Sequence, residues 1–142
     1  MRSLKVQDCM TRKVVTLSPE MEVVEAIRIL LDYDITAAPV VNDDGVLVGI
    51  LSEMDCLKST VMGGYFSQES GIVEEHMAKN VVIARPQEDI ISVYTRFMKG
   101  KAFRIPVLKD GVLVGMLSPK DVMSAVLEFY EKPALNQQHL AL

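Results

Sequence analysis

Two short motifs pair a serine with an aspartate three residues later, and each motif follows an apolar run. They read Ser52-Glu-Met-Asp55 and Ser118-Pro-Lys-Asp121. Where such a serine begins a helix, the unpaired backbone N–H groups and the helix dipole favour a phosphate group. The nearby carboxylate is then an acceptor for the hydroxyl groups of a ribose. A capping box without any ligand has the same spacing, so both interpretations stay open.

The two motifs differ in the charges around them. The second motif is accompanied by Arg104 and Lys120, whereas the matching residues of the first copy are Ala37 and Met54. Glu53 adds a negative charge to the first motif, and a carboxylate repels the phosphate that cations attract. We therefore expect the main nucleotide site at the second motif, while the first is weak, empty or specific for a less charged ligand. Solvated surface charges are the alternative explanation of both cations.

No group of residues in the sequence predicts catalysis or metal binding. The cysteines, Cys9 and Cys56, and the histidines, His76 and His139, have neither zinc-site spacing nor an identifiable partner for nucleophilic chemistry. A glycine-rich phosphate loop is also absent from the sequence. We therefore expect a protein that is not an enzyme and that requires no metal or cofactor.

The composition is typical of a folded, acidic protein. The 142 residues are 49% hydrophobic and 24% charged, with a net charge of −4. This excludes an intrinsically disordered chain, and it disfavours nonspecific nucleic-acid binding, which needs a basic surface. The sequence contains no apolar signal-peptide core and no apolar stretch long enough for a membrane span. We expect a cytoplasmic protein with reduced thiols, and neither nucleic acid nor membrane as a partner.

The elements that position the two motifs belong to an internal repeat. Residues 6–41 align with 73–108, and residues 45–57 align with 111–123 after a one-residue deletion. Fifteen of the 49 aligned pairs are identical, and the identities cluster around the motifs. Clustered identity at one spacing indicates a duplicated unit of about 60 residues.

Each copy begins with the pattern of a strand followed by a helix. The β-branched runs at 14–16 and 81–83 predict a first strand. Pro19 and Pro86 then stand where the first turn of a helix tolerates proline. Ser18 is the predicted N-cap of this helix in the first copy.

A hairpin and a second helix complete each copy. Apolar runs flank Asp44-Gly45 in the first copy and Asp110-Gly111 in the second, and Asp-Gly is a strong hairpin signal. A second helix is predicted directly after Ser52 and after Ser118. Each copy is therefore predicted to be a β-α-β-β-α unit.

These units predict an α+β protein with four consecutive segments. They are a first repeat at 6–60, a connection at 61–72, a second repeat at 73–131 and a C-terminal tail at 132–142. A unit of about 60 residues is marginal alone, so we expect the two repeats to pack sheet to sheet with pseudo-two-fold symmetry. The apolar arcs of the helices are wider than one small sheet covers, which predicts a homodimer built from helices.

Three signatures in this order resemble the CBS-domain pair, a family named for cystathionine β-synthase. Asp8-Cys-Met-Thr11 resembles the family's opening Asp-x-Met-Thr. Pro39-Val40 and Pro106-Val107 resemble its apolar-Pro-Val strand. Gly49-Ile-Leu-Ser-Glu-Met-Asp55 and Gly115-Met-Leu-Ser-Pro-Lys-Asp121 resemble its Gly-h-h-Ser/Thr-x-x-Asp motif, where h is apolar. The resemblance extends over nearly the whole chain.

The resemblance implies a non-catalytic regulatory module. Clefts between the repeats of this family often bind an adenine nucleotide such as AMP, ADP or ATP, with the motif aspartate on the ribose and the motif serine near phosphate. The resemblance implies ligand roles for the motif residues Asp121, Ser118, Asp55 and Ser52 and for Thr16. The charge pattern adds Arg104 and Lys120 to the Asp121 cleft. Candidate apolar walls for a purine are Phe103, Met116, Ile50 and Ala38, with core packing as the alternative for Ile50 and Met116.

The expected output of this module is a signal to an unknown regulated protein in trans. CBS pairs also commonly form dimers through their helices, which agrees with the expected homodimer. The alternative function is a ligand-free dimeric interaction scaffold with vestigial clefts. Three departures from symmetry favour that alternative: Ile83 at the position of Thr16, Glu53, and Met54.

Overall fold

The computed structural model describes residues 4–64, 71–100 and 104–131. The α-helices in these ranges are α1 (Val6–Cys9), α2 (Val23–Asp32), α3 (Glu53–Leu57), α4 (Val73–His76), α5 (Ile90–Lys99) and α6 (Pro119–Glu131). The strands are β1 (Ala37–Val41), β2 (Leu47–Ser52), β3 (Ile105–Lys109) and β4 (Val112–Leu117). Strand β1 pairs with β2, and β3 pairs with β4. The predicted α+β fold is confirmed.

Both predicted hairpins are present, and their turns are of the expected kind. Gly45 and Gly111 have φ angles of 79° and 82°, which glycine adopts without the steric cost of a Cβ atom. Strand β2 ends at Ser52, and Ser118 directly follows β4. Each Ser-x-x-Asp motif therefore begins where a hairpin ends and a helix starts.

The predicted first strands at 14–16 and 81–83 are wrong. Each copy forms a one-residue parallel bridge instead, at Leu17 in the first copy and at Ala84 in the second. A proline follows two residues after each bridge and lacks the N–H group that a longer ladder needs. The regular elements of each copy are therefore two helices and one hairpin, preceded by a short opening helix.

The first long helix of each copy also begins later than predicted. The N-caps of α2 and α5 are Glu22 and Asp89, three residues after the prolines, and not Ser18. The Ser18 carbonyl instead accepts a hydrogen bond of 3.2 Å from the N–H of Met21, in a turn that precedes α2. The prolines therefore belong to this preceding turn rather than to the helices.

The predicted connection at 61–72 begins as a continuation of α3. Residues Lys58–Gly64 form a π-helical segment directly after it. Residues 65–70, the tail at 132–142 and Phe103 lie outside the described residues.

Two compact units divide the chain, and each contains a segment from both repeats. The Asp121 unit comprises the described parts of 1–12, 82–107 and 115–142. The Asp55 unit comprises the described parts of 13–81 and 108–114. The opening segment of each repeat therefore lies in the unit that is built around the other repeat. The repeat boundaries proposed from the sequence stay a prediction.

A backbone bridge with two hydrogen bonds holds each opening segment in its unit. In the Asp121 unit, Thr11 and Met116 exchange N–H···O bonds of 2.8 and 2.9 Å. In the Asp55 unit, Ala78 and Ile50 exchange bonds of 2.9 and 3.0 Å. The two bridges occupy equivalent positions of the repeat, so the exchange of opening segments is a property of both copies.

A glycine next to each bridge makes this close approach possible. A Cβ atom on Gly115 would lie 2.7 Å from Met10 Sδ and 3.0 Å from the carbonyl oxygen of the bridging residue. On Gly49 the corresponding distances are 2.5 Å, to Met77 Sδ, and 2.8 Å. Such separations are below van der Waals contact, so any larger residue forces the opening segment to move.

The two units differ in the residues that support their first long helix. The buried core of the Asp55 unit consists of Leu17, Val23, Ala26, Leu30, Ala38, Val40, Leu51, Cys56 and Val73. Met21 and Ile29 pack against this core. The matching residues in the Asp121 unit, Glu88 and Arg96, form an ion pair. Arg96 also donates a hydrogen bond of 3.2 Å to the carbonyl of Ile83.

Candidate functional site

Ser118 and Asp121 form a capping box at the start of α6. The Asp121 N–H donates to Ser118 Oγ at 3.2 Å, and the Ser118 N–H donates to Asp121 Oδ2 at 2.9 Å. The Ser118 hydroxyl also donates to Oδ2 at 3.0 Å. Ser118 is buried and Asp121 is half-buried. One oxygen of this carboxylate therefore accepts hydrogen bonds within the helix cap, as the capping-box interpretation of the motif predicts.

The other oxygen of the Asp121 carboxylate accepts a hydrogen bond from Thr11. The Thr11 hydroxyl donates to Oδ1 at 2.9 Å, across a sequence separation of 110 residues. A side chain from the opening segment of one repeat thus contacts the motif of the other. Sequence reasoning did not assign Thr11 to the site. The available signal was its hydroxyl group, which the second copy replaces with Ala78.

Ser52 and Asp55 form the same capping box at the start of α3. The Ser52 N–H donates to Asp55 Oδ2 at 2.9 Å, and the Asp55 N–H donates to Ser52 Oγ at 3.2 Å. The residue that matches Thr11 is Ala78, whose methyl side chain donates no hydrogen bond. The two motifs therefore share the two cap bonds that involve backbone N–H groups. The Asp121 carboxylate also accepts hydrogen bonds from the Ser118 and Thr11 hydroxyls.

The first turns of α6 and α3 differ in their charged side chains. Lys120 is exposed in the first turn of α6, and Arg104 is half-buried directly before β3. In α3 the corresponding turn carries Met54, which is 67% exposed, and Glu53, which is also exposed. The first turn of α6 thus offers a cation where α3 has an apolar group. That these cations bind phosphate stays a prediction.

The predicted apolar wall residues differ strongly in exposure. Ala38 is completely buried in the core of the Asp55 unit, and Met116 is 7% exposed. Ile50 is half-buried and Thr16 is exposed. Phe103 lies outside the described residues. In the Asp55 unit, Ile50 and Thr16 therefore have surface for a ligand, whereas the Ala38 side chain packs in the core.

Both cysteine thiols are buried and weakly acidic. Burial raises the pKa of Cys56 to about 11, and the Asp55 carboxylate adds to this effect. Burial also raises the pKa of Cys9, with further contributions from Asp8 and Asp121. Since the thiolate is the reactive form, these cysteines have the character of small core residues rather than nucleophiles.

The part of the chain that the structure describes contains neither a metal site nor a membrane-spanning helix. Its histidines, cysteines and acidic residues form no cluster that could hold a metal ion. None of its helices combines the length and the apolar character that a membrane crossing requires.

Comparison with protein-family models identifies the family to which this chain belongs. The CBS-domain model matches residues 6–61 and, a second time, residues 73–128. The chain belongs to the CBS-domain family. Because two matches lie in tandem, it is a CBS-domain pair, as the resemblance implied.

A curated relative of this CBS pair is a larger protein that contains a similar segment. The CBS pair is 32% identical over 125 residues to a homoserine O-acetyltransferase of Methanohalobium evestigatum, an alignment that covers 87% of this chain and 24% of that relative. The chain therefore spans about a quarter of that protein.

Two solved structures of CBS pairs are similar to the chain over most of their length. The pair of MJ0100, in complex with 5′-methylthioadenosine and S-adenosyl-L-methionine, has a TM-score of 0.77 and 26% identity, covering 87% of this chain and 95% of that one. CBSX2 of Arabidopsis thaliana, in complex with AMP, has a TM-score of 0.79 and 25% identity, covering 89% and 98%.

Proposed function

We propose that this CBS pair is a non-catalytic regulatory module that binds an adenine nucleotide, such as AMP, ADP or ATP. The observation that carries the proposal is the duplicated helix start, where a strand-end serine holds a half-buried aspartate. Related CBS pairs bind AMP in one case and adenosine derivatives in another. Their common part is adenosine, whose ribose hydroxyls are donors for such a carboxylate.

The main site in this proposal is at Asp121. The carboxylate accepts a hydrogen bond from the ribose, and Ser118 lies at the helix start, where the dipole favours phosphate. Arg104 and Lys120 then neutralise the phosphate charge through charge-assisted hydrogen bonds. Met116 and Phe103 are the proposed apolar contacts of the purine in this site.

The second site in this proposal is at Asp55 and takes a less charged ligand. The same cap holds Asp55 and Ser52, but Glu53 repels phosphate and Met54 replaces the lysine. An adenosine derivative without a phosphate group suits this site better than a nucleotide. Thr16 and Ile50 are its remaining proposed side-chain contacts, whereas Ala38 packs its side chain in the core and is left with backbone contacts.

The output of the module is proposed to be a signal to a partner protein in the cytoplasm, from a homodimer. The helices expose large apolar side chains, which usually mark an interface. In the Asp121 unit the most exposed of these are Ile91, Tyr94 and Met98 on α5 and Met123, Leu127 and Tyr130 on α6. Light scattering at micromolar concentration tests the dimer, which has about twice the 15.8 kDa mass of one chain. A mass of one chain would refute it.

A thermal-shift screen tests the binding function. The panel is AMP, ADP, ATP, NAD and S-adenosylmethionine, with UMP as a control that keeps the ribose and the phosphate but lacks adenine. A ligand present at a hundred times its Kd stabilises the folded protein by about 2.7 kcal/mol. We expect stabilisation by an adenine nucleotide and none by UMP. If no compound stabilises the protein, the ligand-free scaffold replaces this proposal.

A further inference from the structure

The two motif carboxylates differ in how many hydrogen bonds they still accept. A carboxylate has about four lone-pair positions. On Asp121, the Ser118 N–H, the Ser118 hydroxyl and the Thr11 hydroxyl occupy three of them. On Asp55, the Ser52 N–H occupies one position. A ribose with two free hydroxyls donates two hydrogen bonds, which is one more than Asp121 accepts while Thr11 is bound.

We propose that Thr11 is a latch that a nucleotide displaces when both ribose hydroxyls bind Asp121. The inference rests on the proposed nucleotide site and describes its regulation. The diol takes the last open position of Asp121 and the position that Thr11 vacates, while both bonds from Ser118 remain. The cap of α6 therefore stays intact, and the hydrogen bond that changes is the one to the opening segment.

The consequence of displacement is a weaker anchor for the opening segment of the first repeat. Besides its hydroxyl contact, Thr11 is held by the backbone bridge to Met116. Met10 lies directly against Gly115, and α1 contacts α6. Loss of the Thr11 side-chain bond loosens one end of this small interface. Ligand binding at Asp121 is thereby coupled to the order of the segment that precedes residue 12.

The latch also gives the two sites different ligand preferences. A 2′-deoxyribose nucleotide donates one hydroxyl bond, which Asp121 accepts with Thr11 in place. At Asp55 the latch is missing, because Ala78 has no hydroxyl group. The latch therefore reduces the factor by which Asp121 binds a ribonucleotide more tightly than a deoxyribonucleotide. At Asp55 this difference in affinity is not reduced.

The variant Thr11→Ala tests the latch, because it gives the Asp121 site the residue that the Asp55 site has naturally. Titrations followed by NMR, with the Met116 and Ile50 amides as reporters of the two sites, give separate affinities. We expect AMP to bind about three- to tenfold more tightly at Asp121, the net effect of one typical hydrogen bond. The affinity for 2′-deoxy-AMP stays within twofold. Thr11→Ser retains the hydroxyl and restores wild-type affinities.

The reverse substitution, Ala78→Thr, and the wild-type protein provide two independent measurements. Ala78→Thr introduces a hydroxyl beside Asp55 and is expected to weaken ribonucleoside binding there by about three- to tenfold. In the wild-type protein, AMP is expected to accelerate amide hydrogen exchange at Met116. This second measurement needs no variant, so it decides the question even if Thr11→Ala does not fold.

The outcomes separate the latch from the proposed function. Unchanged or weaker AMP binding by Thr11→Ala, or slower exchange at Met116 with AMP, overturns the latch and leaves nucleotide binding intact. Absence of AMP binding to the wild type, Thr11→Ala and Thr11→Ser overturns both proposals. An equal gain for AMP and 2′-deoxy-AMP also overturns the latch, since it indicates a general structural effect.

Discussion

In the Asp121 unit the carboxylate of the cap accepts a hydrogen bond from the Thr11 hydroxyl, and Lys120 lies in the first turn of α6. An ion pair between Glu88 and Arg96 supports the first long helix of this unit. In the Asp55 unit the same three positions are occupied by alanine, methionine and an apolar pair. Both units have a hairpin, a cap with two bonds from backbone N–H groups, and a glycine next to the bridge. Backbone geometry thus sets what the repeats share, and the side chains around the carboxylate set the chemistry in which they differ.

The largest expected effects on folding stability come from the two glycines, which test the part of the comparison that is shared. Gly49→Ala and Gly115→Ala each force the opening segment away from β2 or β4. Overpacking of this kind costs about 1–3 kcal/mol in the free energy of unfolding. The added Cβ lies closer to a backbone oxygen at Gly49, 2.8 Å against 3.0 Å, so Gly49→Ala is expected to destabilise more.

Urea unfolding of the two glycine variants measures this difference. Gly45→Ala is not a suitable control, because Gly45 has a positive φ angle and alanine is strained there for another reason. Ser124→Ala, on an exposed position of α6, is a suitable control and is expected to be nearly neutral. Wild-type stability in both glycine variants would show that the opening segments are not packed as described.

Arg104→Ala sharpens the comparison of charge, since it gives the second copy the residue of the first. Loss of a charge-assisted hydrogen bond to phosphate is expected to cost about 1.5–3 kcal/mol of AMP binding energy, or at least a tenfold increase in Kd. Adenosine binding is expected to change little, because it has no phosphate. The salt dependence of AMP binding should also become weaker. Equal losses for adenosine and AMP would make Arg104 a structural residue.

The ion pair between Glu88 and Arg96 gives the smallest effect, and it depends on pH. The hydrogen bond from Arg96 lowers the pKa of Glu88 below its usual value. The charged carboxylate is thus preferred in the folded state. Its contribution to stability is present above the pKa of an unfolded glutamate and is lost as the pH falls through the lower folded pKa. Both side chains are partly exposed, so we expect about 1 kcal/mol.

The apolar pair of the first copy provides the matched variant for this prediction. Glu88→Met combined with Arg96→Ile is expected to remove that part of the acid destabilisation, measured by urea unfolding at pH 7 and at pH 3. Arg96→Ile alone leaves Glu88 without its partner and is expected to be less stable than the double variant at pH 7. Parallel pH profiles of the wild type and the double variant would contradict this role of the ion pair.

Local patterns were sufficient to predict the hairpins and the two Ser-x-x-Asp caps. Asp-Gly turns between apolar runs determine a hairpin from a few adjacent residues, and Ser-x-x-Asp determines a cap in the same way. The helix starts at 18–19 and 86 were wrong because proline also favours the turn that precedes a helix. The strands at 14–16 and 81–83 were wrong because the chain pairs only at Leu17 and Ala84, and the proline two residues later has no N–H group to extend a ladder.

The exchange of opening segments and the Thr11 contact were beyond the sequence pattern. The Thr11–Met116 bridge uses backbone groups, which every residue has, so it leaves no specific signal in the side chains. The contact between Thr11 and Asp121 joins residues 110 positions apart. The sequence contains the threonine and the aspartate, but their distance depends on tertiary packing. The ligand roles of both aspartates stay predictions.

The central claim is that the Asp121 site is the main adenine-nucleotide site, and isothermal titration of AMP into three proteins tests it most directly. Asp121→Ala and Asp55→Ala each remove the aspartate of one capping box, so each is the structural control for the other. We expect Asp121→Ala to weaken AMP binding at least tenfold, as the loss of a charged hydrogen-bond partner implies, and Asp55→Ala to have a much smaller effect. Equal titration curves for the wild type and Asp121→Ala would contradict the claim.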